Sequence, residues 1–453
     1  MNNINRLETE NIDSLIWKFS LPAIVGMVAN ASYNVVDRIF VGQGVGSNAI
    51  SAITMTFPLL MFTFSFAMLF GIGAGAVVSL KLGEKQKNMA EKALGNAVFL
   101  SISTSLVLSF LYYFFLELIM RFLGAKGEIL TLSADYLRIV IWGIIFQIVA
   151  FVLNAIIRGE GNPRIAMFTM IIGAIGNMIL DPIFIFGFRW GIKGAAFATV
   201  LAQIISAIWV LVYFLNQKSY LKLYFKNIHL DKTISKQIVG IGFSPFIMHI
   251  ASSGIFILLN SSFLYYGGST AVAAMGIINS TVMFILMPVF GLNQGIQPII
   301  GYNYGAKQFT RVKKLLSRGI MYASIVCFAG FVLLISFPND VIKLFSSNDL
   351  KLLEVGRHGL TIYVLSLPII GFQVILGAYF QAIGKPLKSI ILTLTRQIIF
   401  IIPLVLILPH FLGLDGLWAF APFADYLAAV LALIFLIYEL NNLKNKSLLI
   451  INK

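Results

Sequence analysis

Residues 139–157 have the sequence IVIWGIIFQIVAFVLNAII, a run of 19 residues without a charged side chain. A helix of roughly 20 apolar residues crosses the hydrocarbon core of a bilayer and satisfies its own backbone hydrogen bonds there. Two polar side chains interrupt the run, Gln147 and Asn154, and their spacing of seven puts them on one face of a helix. The run therefore predicts a membrane span with a polar seam.

Apolar stretches of this kind recur along the whole chain of 453 residues, in which 59% of the residues are hydrophobic and 11% are charged. This composition is typical of an all-α polytopic membrane protein. We predict twelve transmembrane helices, at residues 14–42, 49–78, 90–116, 133–155, 163–188, 192–214, 234–264, 271–298, 312–337, 357–381, 386–409 and 414–438.

The 33 lysines and arginines indicate the orientation of these spans. With a cytoplasmic N-terminus, the cytoplasmic segments carry 23 of them and the outer segments carry 8. The positive-inside rule then places both termini in the cytoplasm, as in a multi-pass protein of the cell (inner) membrane. The initial sequence MNNINRLETENID lacks the pattern of a cleaved signal peptide. The basic residues are dispersed among loops, so we expect no nucleic-acid partner.

Four sequence motifs occur twice at a nearly constant offset, which is typical of transporters built from internal repeats. They are KFSLP at 18–22 with GFSP at 242–245, GEKQ at 83–86 with GAKQ at 305–308, RGEGNP at 158–163 with QAIGKP at 381–386, and GIKG at 191–194 with GLDG at 413–416. The offset of six helices predicts two six-helix lobes related by a pseudo-twofold axis along the membrane normal. We place the N-lobe at 1–214, a cytoplasmic linker at 215–233 and the C-lobe at 234–453.

Ionisable side chains inside a span are costly and are candidates for function. Asp37, Asp181 and Asp425 are the acids that qualify, and Arg396 is the clear base. Asp37 and Asp181 lie at similar depth in the outer half of the membrane. Two carboxylates together in a medium of low dielectric constant resist double ionisation, so the pair can carry a proton. Alternatively, both stay ionised around a sodium ion to which Asn177 and Thr199 add neutral oxygen ligands.

Polar residues form seams along four predicted helices of the N-lobe. Their helical spacing predicts a polar cavity that receives the substrate. The candidates for its lining are Asn30, Tyr33, Asn34, Tyr136, Gln147, Asn154 and Gln203. Hydrogen bonding between helices is the alternative role for each neutral member.

Arg396 and Asp425 reach comparable depth on the last two predicted spans, which run antiparallel. We predict a buried ion pair in the C-lobe. Two roles stay open at this point, a structural contact and a part of the transport path of the second lobe.

The chain carries no enzyme signature. Residues 71–75, GIGAG, lie in an apolar helix without the strand and spacing of a dinucleotide-binding loop, and there is no Walker loop. We therefore expect no enzymatic activity, no cofactor beyond a coupling proton or sodium ion, and no other metal.

Several motifs resemble the multidrug and toxic compound extrusion (MATE) family, and specifically its DinF-like branch, over essentially the whole chain. They are FSLP at 19–22, VDRIFVG at 36–42, RGEGNP at 158–163, and Asn177 with Asp181-Pro182. The resemblance implies the MATE fold, alternating access, and a cation site formed by Asp37, Asn177, Asp181 and Thr199, with Tyr136 and Asn154 beside it. It also implies that helix 1 bends at Pro22 when Asp37 is protonated.

These observations together predict a secondary active multidrug antiporter that exports organic cations in exchange for protons or sodium ions. Its partners are small organic cations and membrane lipids, and we expect a monomer. The alternatives are a lipid-linked oligosaccharide flippase of the same superfamily, which needs a cationic cavity, and a membrane receptor or scaffold without transport activity.

Overall fold

The computed structural model describes residues 3–216, 219–345 and 349–451. Lys218 and Lys453, which count among the cytoplasmic charges, lie outside the described residues. The first half of the chain forms α1 (Asn3–Thr9), α2 (Ile12–Gly44), α3 (Ser47–Gly83), α4 (Lys87–Phe122), α5 (Gly127–Gly159), α6 (Pro163–Pro182) and α7 (Gly191–Leu215). The second half forms α8 (Lys232–Gly305), α9 (Phe309–Ser336), α10 (Pro338–Lys343), α11 (Leu350–Tyr363), α12 (Leu367–Ala382), α13 (Pro386–Leu394), α14 (Ile402–Leu412) and α15 (Leu414–Ile451). Two π-helices, Ile183–Gly187 and Thr395–Ile401, and two 3-10 turns, Phe225–Asn227 and Val364–Ser366, connect some of these helices.

Eleven continuous helical stretches in the described ranges are long and apolar enough to cross a membrane. The prediction of an all-α polytopic membrane protein is therefore confirmed. One stretch is α8, whose 74 residues correspond to about 110 Å of helix, far more than the thickness of one bilayer. Gly268 breaks α8 with non-helical backbone angles, φ 67° and ψ −168°. The break falls between the predicted seventh and eighth spans, and the count of twelve stays a prediction.

The backbone repeats with the same offset as the sequence motifs. Lys85 and Lys307, which are 222 residues apart, have φ of 61° and 59°. Such angles are uncommon for residues other than glycine. In both turns the next glutamine donates its backbone N–H to the carbonyl five residues earlier, at 2.8 and 2.9 Å. Three glycine pairs also share a positive φ at this spacing: Gly46 and Gly268, Gly161 and Gly384, Gly191 and Gly413. The two halves of the chain are thus built on one backbone plan.

The chain packs into two compact units. The first comprises the described residues of 1–9 together with 21–246, and the second comprises 10–20 and the described residues from 247 onward. Two helices, α2 and α8, contribute to both units. The predicted lobe boundaries at 214 and 234 stay a prediction, because the units follow packing and the repeat follows sequence.

Helix α5, which contains the run at 139–157, is central in the first unit. It contacts α3, α4, α6 and α7. Its apolar side chains Ile141, Ile148 and Ile156 are at most 1% exposed. The run therefore forms a core surrounded by other helices, although its composition alone is that of any membrane span.

Helices α3 and α8 approach each other at glycines within the first unit. A Cβ atom on Gly73 would lie 2.0 Å from the carbonyl oxygen of Ile238, and one on Gly242 would lie 1.7 Å from that of Leu69. Only glycine permits this approach of two backbones. The glycine-rich stretch at 71–75 therefore belongs to a close helix crossing.

The linker at 215–233 is attached to the first unit along its described residues. Leu221 is fully buried, and the carbonyl oxygen of Asn227 lies 2.4 Å from the position of a Cβ on Gly95. Asn96 donates to the carbonyl of His229 at 2.8 Å. Much of the linker is thus part of a packed surface, which its polar composition does not indicate.

Glu160 is the buried acid that anchors this linker. Its carboxylate accepts hydrogen bonds from the Tyr213 hydroxyl, from the Ser219 hydroxyl at 2.5 Å and from the backbone N–H of Leu221 at 3.4 Å. Asn162 in turn donates to the Tyr213 oxygen at 2.6 Å. Burial raises the pKa of Glu160, and the hydrogen bonds that it accepts oppose this shift only in part.

We expect Gly242→Ala to lower the melting temperature of the purified protein by several degrees. The new methyl group meets a carbonyl group in a crossing that cannot open without separating two helices, and overpacking of this kind destabilises by about 1–3 kcal/mol. Gly254→Ala is the matched control on the same helix, because a Cβ there meets no atom within 4 Å. Equal melting temperatures for the two variants would contradict the crossing.

The raised pKa of Glu160 predicts a pH-dependent stability. The folded protein holds this proton more tightly than the unfolded chain, whose glutamate pKa is about 4.3. As pH rises from that value through the raised pKa, the folded state must ionise a buried group, so the free energy of unfolding falls.

Glu160→Gln removes this titration. We expect the melting temperature of the variant to fall less than that of the wild type between about pH 5 and pH 8. Glu84→Gln, at an exposed acid that pairs with Lys81 at 2.8 Å, serves as the control and should retain the pH dependence of the wild type. Parallel curves for wild type and Glu160→Gln would show that Glu160 is not the responsible group.

Candidate functional site

Asp37 on α2 and Asp181 on α6 meet inside the first unit. Their carboxyl groups lie within hydrogen-bonding reach of one another. Asp181 is fully buried, and Asp37 is half-buried with its Oδ1 atom inaccessible. Two carboxylates accept hydrogen bonds but do not donate them, so a contact between them requires a proton or a cation.

Asn177 lies one helical turn before Asp181 on α6. Its Nδ2 atom donates to Asp181 Oδ1 at 3.5 Å, and its side chain is 2% exposed. The spacing of four places both groups on one face of α6, as the sequence predicts. The helix ends immediately afterwards at Pro182, where the π-helix Ile183–Gly187 begins.

Four buried oxygen atoms of the first unit have no hydrogen-bond partner: Asp37 Oδ1, Asp181 Oδ2, Asn177 Oδ1 and Gln203 Oε1. All four are acceptors. Buried polar atoms are satisfied in most structures, and an exception calls for an explanation. A set of acceptors without donors is suited to a proton or a metal cation and unsuited to an anion.

Tyr136 and Thr199 border the carboxylate pair. The Thr199 hydroxyl donates to the carbonyl of Ala195 at 3.0 Å and is hydrogen-bonded to the Tyr136 hydroxyl. Tyr33 and Tyr136 both lie within electrostatic range of Asp37 and Asp181. The structure thus brings together Asp37, Asn177, Asp181, Thr199 and Tyr136, which the sequence assigns to one site.

The helices of this region pack closely through small residues. A Cβ on Gly143 would lie 2.3 Å from Gln203 Oε1, and one on Gly173 would lie 2.6 Å from the Ser206 hydroxyl. Both contacts join α7 to a neighbouring polar seam. Gln147, on the same seam as Gly143, is half-buried.

Other predicted cavity residues make local contacts. Asn34 donates to the carbonyl oxygen of Asn30 at 2.7 Å, and both asparagines are exposed on α2. Asn154 is 4% exposed and donates to the carbonyl of Ala166 at 2.7 Å, which joins α5 to α6. A role of these residues toward substrate stays a prediction.

Arg158 is a buried residue that sequence reasoning assigned only to the cytoplasmic loops. Its side chain is 8% exposed and donates to Asn154 Oδ1. The spacing of four from Asn154 continues the polar seam of α5 to its inner end. That spacing was the available signal, but a basic residue near the end of a span counts first as a topological marker.

Pro22 lies inside α2, next to the point where this helix passes from the second unit to the first. Because proline has no backbone N–H, the carbonyl of Lys18 lacks its helical partner. This is a local weakness in the helix that carries Asp37. Bending at Pro22 stays a prediction.

Arg396 and Asp425 form an ion pair inside the second unit. Arg396 Nε donates to Asp425 Oδ1. The acid is 1% exposed and the arginine side chain is 31% exposed. The contact has the partners that antiparallel depth predicts, and its role stays open.

The family model MatE matches residues 22–183 and 245–407. The two matched segments are separated by the offset of the internal repeat. Together they cover more than half of the chain.

Curated relatives and solved structures agree with this match. The chain is 29% identical to the multidrug export protein MepA of Staphylococcus aureus (strain MSSA476) over 94% of both chains. It is also 29% identical to MepA of Staphylococcus haemolyticus (strain JCSC1435), over 96% of this chain and 95% of that protein.

Among solved structures, the fold matches a multidrug resistance MATE family transporter of the MOP superfamily in its outward-facing conformation. The TM-score is 0.92, the identity is 25%, and the match covers 98% of this chain and 99% of that chain. A MATE structure in the bent conformation matches with a TM-score of 0.93, at 25% identity over 99% of both chains.

These matches cover both halves of the chain, and the proteins that they name are transporters and not enzymes. The chain belongs to the MATE family and is a multidrug efflux transporter that passes through the membrane several times.

Proposed function

We propose that the protein is an antiporter in which Asp37 and Asp181 form the coupling site and exchange a proton or a sodium ion for an organic cation. The observation that carries this proposal is the set of four buried acceptor oxygens without donors in the first unit. A cation is the ligand that such a set lacks.

In the proton-coupled form, one proton occupies the contact between the two carboxyl groups. Loading it removes a negative charge from a buried site, and releasing it restores a site that attracts a cationic drug. Drug and proton therefore compete for the same charge. The local weakness at Pro22 supports a version in which protonation of Asp37 also changes the course of α2.

In the sodium-coupled form, both carboxylates stay ionised and the ion takes oxygen ligands from them and from Asn177. Asn177 Oδ1 has no hydrogen-bond partner. The Thr199 oxygen is already engaged with Tyr136 and Ala195, so coordination by Thr199 requires the hydrogen bond from Tyr136 to break. This difference makes the two forms experimentally separable.

The membrane potential supplies the driving force for either form. Each elementary charge that crosses is worth about 2.3 kcal/mol per 100 mV. We propose alternating access of two lobes with both termini in the cytoplasm of the inner membrane, in a monomer. The polar seams of the first unit then form the substrate cavity, with Asn30, Tyr33, Asn34, Tyr136, Gln147, Asn154 and Gln203 as its candidate lining. The printed names of the MepA relatives support drugs as substrates.

We expect Asp37→Asn and Asp181→Asn each to lower gradient-driven efflux of a cationic dye by about tenfold or more, because each removes a charge on which coupling depends. The measurement is ethidium efflux from cells that express equal amounts of each variant. Asp415→Asn is the matched control, since that acid is exposed on its helix and contacts His358. Undiminished efflux by Asp37→Asn would refute the proposed coupling site.

Proteoliposomes with separate gradients identify the coupling ion. A proton site predicts dye transport under a pH gradient without sodium, and a sodium site predicts transport under a sodium gradient at equal pH. We further expect Tyr136→Phe, which removes the hydrogen bond to Thr199, to strengthen sodium-driven transport and to leave proton-driven transport within about twofold. Transport that responds to neither gradient would exclude both forms.

A further inference from the structure

Arg396 lies near the middle of the membrane-crossing stretch that runs from Pro386 to Leu412. It sits in the π-helix between α13 and α14, ten residues from Pro386 and sixteen from Leu412. At 1.5 Å per residue it is about 15 Å from the inner end and about 24 Å from the outer end. Segments of π-helix are rare and often occur at functional sites.

Only one edge of the Arg396 guanidinium group is engaged by the described residues. Nε donates to Asp425 Oδ1, and no hydrogen bond is found for the two terminal nitrogens within the described ranges. Asp425 is itself held in place, since Gln373 donates to its backbone carbonyl at 2.7 Å. Its Oδ2 atom is buried without a partner.

The accessible part of Arg396 faces water and not lipid. The side chain is 31% exposed, whereas a guanidinium group in contact with acyl chains at this depth is strongly unfavourable. Charged side chains in spans face a bundle interior or a water-filled cavity. The two terminal nitrogens therefore present a planar pair of donors to an aqueous space within the second unit.

A planar pair of guanidinium nitrogens matches the two oxygens of a carboxylate. The partner acid makes the empty site neutral overall, so a small inorganic anion gains little from electrostatic attraction. A carboxylate that belongs to a larger organic molecule gains additional contacts from the rest of that molecule. The site thus selects an anionic group that is attached to a drug.

We propose that Arg396 binds the carboxylate of zwitterionic substrates, that is, organic cations that also carry an acid, and that Asp425 is the positioning residue that orients the guanidinium group. This inference rests on the proposed function and extends its substrate class from cations to zwitterions. Drug export alone requires no arginine at this depth.

The experiment compares binding of a fluoroquinolone with a free carboxylate and of its methyl ester to the purified full-length protein in nanodiscs of neutral phosphatidylcholine. Isothermal titration calorimetry gives both dissociation constants. For the wild type we expect the acid to bind about tenfold or more tightly than the ester. The double variant Arg396→Gln/Asp425→Asn removes both charges together and should bind the two compounds with equal affinity.

The matched control is Arg138→Gln/Glu117→Gln, which removes an exposed ion pair of 3.3 Å from the first unit and should retain the preference for the acid. If the double variant at 396 and 425 does not fold, Arg396→Lys keeps the charge but loses the planar fork, and it should lose most of the preference. Folding is checked by gel filtration before each titration.

Equal affinities of the wild type for acid and ester would overturn the proposal, and so would a preference that survives in both Arg396 variants. Displacement of the fluoroquinolone by millimolar acetate would assign the site to free anions, and loss of the preference in nanodiscs with phosphatidylglycerol would assign it to lipid headgroups; either overturns it. Because binding is measured without an ion gradient, its outcome is independent of whether Asp37 and Asp181 couple transport.

Discussion

A carboxylate within a membrane span requires a compensating positive charge, and the two units of this protein meet the requirement differently. In the second unit, Asp425 has a permanent partner in Arg396. In the first unit, Asp37 and Asp181 face one another, and the basic residue that acts electrostatically on Asp37, Arg38, is exposed. A site that lacks a built-in cation must obtain one from solution. The arrangement of α2, α5, α6 and α7 around that deficit is what makes the first unit suited to ion coupling.

The two halves share a backbone plan and differ in chemistry. Asp425 on α15 lies 222 residues after Gln203 on α7, so the two occupy equivalent positions in the repeat. Each has a buried oxygen without a partner. The position opposite differs, because Arg396 corresponds to Ala174 on α6. One plan thus yields a neutral polar group in the first half and a salt bridge in the second.

Much of this organisation was predictable from sequence because lipid imposes simple rules. Apolar length predicted the helices, basic residues predicted their orientation, and unpaired acids predicted the members of the site. The pairing of Arg396 with Asp425 followed from depth alone. Closely packed details were not predictable in this way. The crossing at Gly73 and Gly242 depends on which two helices meet, and the burial of Leu221 depends on a surface provided by distant residues.

Glu160 and Arg158 show the same limit from another side. Both lie at the cytoplasmic end of α5, where charged residues are inexpensive because water is near. Sequence reasoning therefore gave them no special role. In the structure Glu160 is 2% exposed and Arg158 is 8% exposed, and neither is paired with the other in the described residues. Each is satisfied instead by neutral groups, Glu160 by hydroxyls and a backbone N–H, and Arg158 by an asparagine.

The contrast between these buried charges indicates where ion exchange is feasible. Asp425 is neutralised by an adjacent arginine, and protonating it would leave Arg396 without its counter-ion, which is strongly unfavourable at that depth. Protonating Asp37 or Asp181 has the opposite effect, because it relieves repulsion between two acids. A proton therefore binds and leaves more readily in the first unit than in the second. The fixed charge of Arg396 is then free to serve recognition, while the unfixed charge of the acid pair serves coupling.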